Sequence, residues 1–214
     1  MSENFIQLIA DTKVYPIIRC EDAQYAIDIA KALNEGGIRL VEMNVEHSAI
    51  YDAIKEVSKF MHVCAGGIVT SMQADAALEC GAEMFSSPIF QMSLIKISKN
   101  KRVPFIAGAT TANEAYSAWK SRIPLIKLFP AEAMGGAQYI GDILRQMPFL
   151  KLLPMGNIKL NEVITYIKAG AVAVGVGRSF YQGFESKEIT NRTREILKEI
   201  KDYKTWMNKK QMLP

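Results

Sequence analysis

The sequence DAQYAIDIAKALNEGGIRLVEMN, residues 22–44, contains the local pattern from which the fold can be predicted. In its first half, apolar residues recur at the spacing of one helix face: Ala23, Ala26, Ile27, Ala30 and Leu33. Gly36 and Gly37 follow, and glycine accepts the left-handed backbone that ends a helix. The apolar run Ile38–Asn44 then has the length and character of a strand. The stretch therefore predicts one helix followed directly by one strand.

The same alternation of a short apolar run with a longer amphipathic stretch continues along the chain. Eight runs are predicted to be strands: Val14–Arg19, Ile38–Asn44, His62–Ala65, Met84–Ser86, Pro104–Ala107, Ile123–Leu128, Leu150–Pro154 and Ala171–Val176. The predicted helices are Glu3–Asp11 before the first strand, and then Asp22–Asn34, Ala49–Phe60, Ser71–Cys80, Ala112–Lys120, Ala137–Gln146, Leu160–Lys168 and Lys187–Met207.

Repeated strand–helix units with short connections predict parallel strands joined by right-handed crossovers. Because eight units fit into 214 residues, we predict an α/β fold of the (β/α)8 TIM barrel class, formed as one domain over residues 1–214. The N-terminal helix and the C-terminal helical extension are expected to pack outside the barrel or to plug one end. The alternative is an open doubly wound sheet, but its G-x-G-x-x-G fingerprint is missing after the first predicted strand.

Composition and charge exclude several classes of function. The chain is 49% hydrophobic and 22% charged, and its net charge of +4 includes a lysine-rich C-terminus that is typical of a solvated helix. No apolar run is long enough to span a bilayer, and residues 1–9 lack the pattern of a secretory signal. The three cysteines and two histidines lack metal-site spacing. We therefore expect a cytoplasmic protein with no metal, no nucleic-acid partner and no membrane partner.

Lysine 127 is the first candidate for chemistry, because barrel enzymes act at the C-terminal ends of their strands. Strand alternation places Lys127 on the same face as Leu125 and Phe129. Its stem could simply pack there while the ammonium reaches water or a carboxylate. Alternatively, an apolar barrel disfavours the charged ammonium and favours a neutral amine that attacks a carbonyl. The residue pattern alone leaves both interpretations open.

Glutamate 42 and Arg19 are the next candidates. By the same alternation, Glu42 points with Leu40 and Asn44. It either forms a buried ion pair with Lys127 or Arg19, or acts as a general acid and base. Arg19 closes the first predicted strand and is also a candidate clamp for a carboxylate or a phosphate. A lysine and a glutamate that both point into one barrel are stronger evidence for a catalytic site than either residue alone.

Two glycine-containing loops near the C-terminus are candidates for anion binding. The sequence PMGN, residues 154–157, follows the seventh predicted strand, and GVGRS, residues 175–179, lies at the end of the eighth. Phosphate sites of barrels commonly occupy this pair of loops, although a single glycine is more often only a turn. We predict that these loops contribute to substrate binding through Met155, Gly156, Asn157, Gly177 and Arg178.

From Val14 to Phe184, the chain resembles the 2-keto-3-deoxy-6-phosphogluconate (KDPG) and 4-hydroxy-2-oxoglutarate (KHG) aldolases. The most specific motif is KLFPAE, residues 127–132, which looks like the family's Schiff-base segment and is followed by Gly135-Gly136. Val41-Glu42 falls where the family places its catalytic glutamate. Supporting matches are Gly36-Gly37-Ile38, Ala65-Gly66, Ser87-Pro88, and Pro154 with Gly156.

The resemblance implies a class I aldolase, a carbon–carbon lyase that is usually a homotrimer and needs no cofactor. Lys127 would form a Schiff base with the substrate ketone, and Glu42 would move protons. The substrate would be a 2-keto-3-deoxy sugar acid, KDPG or KHG, cleaved to pyruvate and an aldehyde. The predicted substrate-binding residues are Arg19, Gly67, Pro88 and Phe129, together with the two C-terminal loops.

Departures from the family pattern concern substrate binding. Glu46 replaces an arginine, Gly67 replaces a threonine, Pro154-Met155-Gly156-Asn157 replaces Pro-Thr-Gly-Gly, and Arg178 replaces a small residue. If Glu46 faces the site, it should repel a substrate carboxylate unless Arg19 or Arg178 supplies the missing charge. Two alternatives therefore stay open: an imine-forming lyase for a different keto acid, and a non-catalytic barrel that binds a sugar phosphate or a protein partner.

Overall fold

The computed structural model describes residues 2–211, so residue 1 and residues 212–214, the two ends of the predicted domain, lie outside the described residues. Its strands are β1 Val14–Ile18, β2 Leu40–Asn44, β3 His62–Gly66, β4 Met84–Ser86, β5 Phe105–Ala109, β6 Ile126–Leu128, β7 Leu152–Pro154 and β8 Val174–Val176. Its α-helices are α1 Ser2–Thr12, α2 Ala23–Gly36, α3 Ala49–Val57, α4 Ser71–Glu79, α5 Met92–Lys101, α6 Ala112–Lys120, α7 Gly136–Gln146, α8 Val163–Lys168 and α9 Ser186–Gln211.

The eight strands form a closed parallel barrel. Each strand from β1 to β6 pairs with the next in the chain, and β1 also pairs with β8. A parallel bridge between Met155 and Gly175 and a 2.9 Å hydrogen bond from Val172 N to Leu152 O join β7 to β8. The predicted TIM barrel is confirmed, and the alternative of an open doubly wound sheet is wrong.

The helix and strand of residues 22–44 form as their sequence predicts. The side chain of Asp22 caps α2 by accepting a 2.6 Å hydrogen bond from Tyr25 N, which satisfies one free amide of the first turn. Gly37 ends the helix with a φ of 111°, in the left-handed region that glycine tolerates. The strand is shorter than predicted, because β2 pairs with its neighbours only from Leu40 onwards.

Helix α5 is absent from the sequence-based prediction. Only Leu94 and Ile95 of its ten residues are buried, and serine, asparagine and lysine occupy much of the rest. Its apolar stripe is therefore too narrow to show a clear helical period. Helices α4 and α6, in contrast, begin at the predicted residues, because Thr70 and Thr111 each form a capping box.

The core has two layers that determine where a ligand can enter. One lies between the barrel and its surrounding helices, and the other fills the barrel interior. Ile6 and Ile9 of α1 belong to the interior layer, so α1 plugs the N-terminal end of the barrel. Helix α9 packs outside on α2, where Thr190 Oγ1 donates a 3.1 Å hydrogen bond to Ala32 O. Only the C-terminal end of the barrel remains open.

Among residues 2–211, none of the helices combines the length and the apolar composition needed to cross a bilayer.

Candidate active site

A buried ion pair lies at the base of the open barrel end. Lys127 Nζ on β6 is 2.9 Å from Glu42 Oε1 on β2, and the two side chains are 5% and 0% exposed. Ser86 on β4 donates a 2.8 Å hydrogen bond to the other carboxylate oxygen, Glu42 Oε2. The expected alternative of a Glu42–Arg19 pair is wrong, because Arg19 pairs with Glu46.

Strand register and a glycine position the carboxylate of Glu42. Glu42 lies beside Ile17 of β1 and Cys64 of β3, and all three side chains point into the barrel. A Cβ atom added at Gly66, two residues further along β3, would come within 2.5 Å of Glu42 Oε1. The glycine thus leaves the space that the carboxylate fills on its way to Lys127.

Two neutral polar side chains lie next to Glu42 in the barrel interior. Tyr15 and Cys64 are buried, and the Tyr15 hydroxyl has no hydrogen-bond partner within the described part of the chain. Burial, with smaller contributions from Cys64 and Glu42, raises the pKa of Tyr15 well above its usual value. Burial and the nearby Glu42 likewise raise the pKa of the Cys64 thiol. Both groups therefore stay protonated at neutral pH, and Cys64 is not a nucleophilic thiolate.

A polar chain connects this buried pair with the mouth of the barrel. The surrounding hydrogen-bonding groups assign the amide of Asn44: its nitrogen donates to Glu42 Oε1 at 3.2 Å, and its oxygen accepts from Arg19 Nη2 at 2.9 Å and Nε at 3.1 Å. Arg19 Nε also lies 3.1 Å from Glu46 Oε1. Arg19, which follows the last residue of β1, is held by both side chains.

The mouth encloses a cavity of about 1120 Å³ above the ion pair. All eleven residues predicted for the site line it: Arg19, Glu42, Gly67, Pro88, Lys127, Phe129, Met155, Gly156, Asn157, Gly177 and Arg178. Glu46, the departure from the family pattern, lines it as well. The structure therefore brings the predicted residues together, while their roles in catalysis and binding stay predictions.

Several residues of the site were missed by the sequence-based prediction. Ser86 contacts Glu42 directly, Asn44 links Glu42 to Arg19, and Lys159 and Ser179 line the cavity. Ser86 could have been found, because it ends a short strand and shares the inward parity of Met84. The loop residues carry no comparable signal.

Backbone conformation explains two of the departures in the loops. Gly67 has a φ of 74°, so a threonine there would be strained in this conformation. Asn157 also has a positive φ, 59°, which asparagine accepts more readily than most residues. Gly156 lets the β7 loop approach Pro130, because a Cβ atom there would lie 2.9 Å from Pro130 Cα. These residues shape the cavity through the backbone.

No cluster of three or more histidine, cysteine, aspartate or glutamate side chains is arranged for metal binding within residues 2–211.

Comparison with known proteins places the chain in a family. The family model "KDPG and KHG aldolase" matches residues 5–202. A 2-dehydro-3-deoxy-phosphogluconate aldolase of Haemophilus influenzae is 26% identical over 94% of this chain and 98% of its own length. The KHG/KDPG aldolase of Escherichia coli is 30% identical over 74% of this chain and 76% of its own length.

A solved structure agrees with the sequence relatives at the level of the fold. The KDPG aldolase of Legionella pneumophila, with pyruvate captured as a covalent carbinolamine, superposes with a TM-score of 0.80 at 23% identity. The match covers 89% of this chain and 97% of that one. With the family model matching nearly the whole chain, the resemblance is confirmed: the protein belongs to the KDPG and KHG aldolase family.

Proposed function

We propose that the protein is a class I aldolase that cleaves a 2-keto-3-deoxy sugar acid to pyruvate and an aldehyde, with Lys127 as the Schiff-base residue. The observation that carries the proposal is the Lys127–Glu42 pair, almost fully buried yet lining an open cavity. A buried lysine beside a carboxylate, reachable by a ligand, suits imine chemistry. The family membership and the names of the relatives support the same reaction.

The first step uses the short distance between the two charged groups. Transfer of a proton from Lys127 Nζ to Glu42, across 2.9 Å, leaves a neutral amine. The amine attacks the C2 carbonyl of the keto acid, and the resulting carbinolamine loses its hydroxyl as water when Glu42 returns the proton. The product is an iminium ion, which can accept the electrons of a breaking carbon–carbon bond.

Cleavage and release follow from the same two residues. Glu42, directly or through water, removes the proton of the C4 hydroxyl, the C3–C4 bond breaks, and its electrons neutralise the iminium nitrogen. An aldehyde leaves, and Lys127 carries an enamine. Protonation at C3 and hydrolysis release pyruvate and restore the amine. Ser86 and Asn44 hold Glu42 in place throughout through their hydrogen bonds.

Substrate binding is assigned to the wall of the cavity. Phe129 lies next to the reacting amine, with its ring centroid 5.9 Å from Lys127 Nζ, while Gly67, Pro88 and Met155 border the same space. The β7 and β8 loops offer the Arg178 side chain to a distal anion, and backbone amides near Gly156, Asn157 and Gly177 border the same region. Arg19 is the candidate contact for the C1 carboxylate. The substrates to test first are KDPG and KHG.

A coupled assay tests this proposal. Purified protein is mixed with KDPG, KHG or other keto acids, and released pyruvate is measured through lactate dehydrogenase. We expect turnover in the wild type and none in Lys127→Met, while Lys59→Met, which alters an exposed lysine just after α3, serves as the matched control. Absence of pyruvate from every keto acid would contradict an aldolase function.

A related lyase for a different keto acid is the second candidate function. The Arg19–Glu46 pair favours it, because a carboxylate of the protein already occupies the proposed carboxylate contact. In the same assay, turnover of another keto acid without turnover of KDPG or KHG would select this candidate.

We also propose that the protein is a cytoplasmic homotrimer. Four exposed apolar side chains support an assembly surface on the neighbouring β3–α4 and β4–α5 connections and the first turns of α4 and α5: Val69, Met72, Ile89 and Met92. Three free cysteines fit a reducing compartment. Light scattering after gel filtration should give three times the mass of one chain, and Met72→Glu, at a side chain that is 79% exposed, should lower it. Cell fractionation tests the location.

A further inference from the structure

The cations around the cavity are divided between two sides of the mouth. On the β1–β2 side, Arg19 is bound by Glu46, with both side chains 45% exposed. On the β7–β8 side, Arg178 and Lys159 line the cavity, and neither forms an ion pair with an acidic group of the described residues. The first side is therefore close to neutral, while the second holds two cations without an ion-pair partner among the described residues, and the carboxylate of Glu132 also lines the cavity.

Glu46 contacts Arg19 in the same way as a ligand carboxylate would. Its Oε1 atom lies 3.1 Å from Arg19 Nε, at the edge of the guanidinium that binds carboxylates. The pair is half-exposed at the mouth of the cavity, so water and small ligands can reach it. Exposed ion pairs of this kind are weak, so a ligand can displace the glutamate.

We propose that Glu46 is a specificity-determining residue that competes with the substrate carboxylate for Arg19. The inference rests on the proposed aldolase function. A keto acid with one carboxylate must displace Glu46 and then lie close to its negative charge, which weakens binding. A keto acid with a distal phosphate gains a second contact with Arg178 and Lys159 across the cavity. Because Glu46 weakens the contact of every substrate carboxylate with Arg19, tight binding then depends on the phosphate contact.

Substitution of Glu46 tests the competition. Borohydride reduces the imine with pyruvate, and mass spectrometry of the intact protein gives the half-saturating pyruvate concentration. We expect Glu46→Gln to lower that concentration about fivefold, as expected when a weak competing ion pair is removed. The KM for KDPG should fall by up to the same factor, because its C1 carboxylate meets the same competition at Arg19. Glu56→Gln, which breaks the exposed pair between Glu56 on α3 and Lys59 just after that helix, is the matched control.

A second variant establishes whether the effect passes through Arg19. Combining Glu46→Gln with Arg19→Met should remove the gain in pyruvate affinity. An unchanged or higher half-saturating concentration in Glu46→Gln, or a gain that persists without Arg19, would overturn the inference and leave the aldolase proposal standing. Absence of any pyruvate adduct in wild type and variants would overturn the proposed imine chemistry and the inference with it.

Discussion

The two ion pairs of the site have similar geometry and opposite surroundings. Lys127 and Glu42 are 2.9 Å apart and almost fully buried, whereas Arg19 and Glu46 are 3.1 Å apart and half-exposed. Breaking a buried pair leaves an uncompensated charge inside the protein, while water and salt screen an exposed pair. The buried pair is therefore suited to catalysis, which needs a fixed geometry. The exposed pair is suited to ligand selection, because it can be broken at little cost.

The largest expected effect comes from removing Lys127. Lys127→Met should lower retro-aldol turnover by at least about four orders of magnitude, because it removes the amine that lies beside Glu42. It should also cost about 3–5 kcal/mol of unfolding free energy, since Glu42 remains buried without its partner. Urea unfolding of Lys127→Met with Glu42→Leu should show stability regained without activity. Equal stability of wild type and Lys127→Met would contradict a charged, buried pair.

A smaller effect is expected when the pair keeps both charges but loses a donor. Ser86→Ala removes the 2.8 Å hydrogen bond to Glu42 Oε2, which should cost about 1–3 kcal/mol of stability. We expect kcat to fall while KM stays nearly constant, because Glu42 is held less firmly in position for proton transfer. Ser117→Ala, at an exposed hydroxyl on α6, is the control. A loss of stability with an unchanged kcat would assign Ser86 a packing role only.

The buried Cys64 thiol should make the free energy of unfolding depend on pH in the alkaline range. Because burial raises the pKa of Cys64 above that of an exposed thiol, the unfolded chain loses this proton first as the pH rises. The contribution is fully present below about pH 8.5 and is lost progressively above it. Unfolding curves from pH 7 to 10 should fall less steeply for Cys64→Ala than for wild type. Parallel curves would argue against a buried, protonated thiol.

The smallest effect on stability is expected at the exposed pair. Glu46→Gln should change the free energy of unfolding by no more than about 1 kcal/mol, and the difference should shrink in high salt. Urea unfolding at low and high ionic strength measures it. A salt-independent loss of several kcal/mol would mean that this pair, like the buried one, is structural.

The barrel and its centre were predictable because they follow from periodic patterns. The helix spacing and the paired glycines in residues 22–44 predict the strand–helix repeat. Alternation along two strands predicts that Lys127 and Glu42 both point into the barrel interior, where they form an ion pair. Contact between strands far apart in the chain is a consequence of barrel closure, which the sequence indicates only through the number of units.

The surroundings of the pair were less predictable, because they depend on side-chain conformation rather than on period. Asn44 ends β2, and Glu46 lies in the loop that follows. Asn44 hydrogen-bonds to both Glu42 and Arg19, whereas Glu46 pairs with Arg19. Glu46 could be recognised as unusual but not as the partner of Arg19. Helix α5 was missed for a related reason, since only two of its side chains are buried.

The central claim is that the buried Lys127 amine forms the imine. The most direct measurement is borohydride reduction of the wild-type protein with pyruvate, followed by digestion and peptide mapping. We expect one reduced adduct, located on Lys127 and absent from Lys127→Met. An adduct on another lysine, or no adduct at saturating pyruvate, would contradict it.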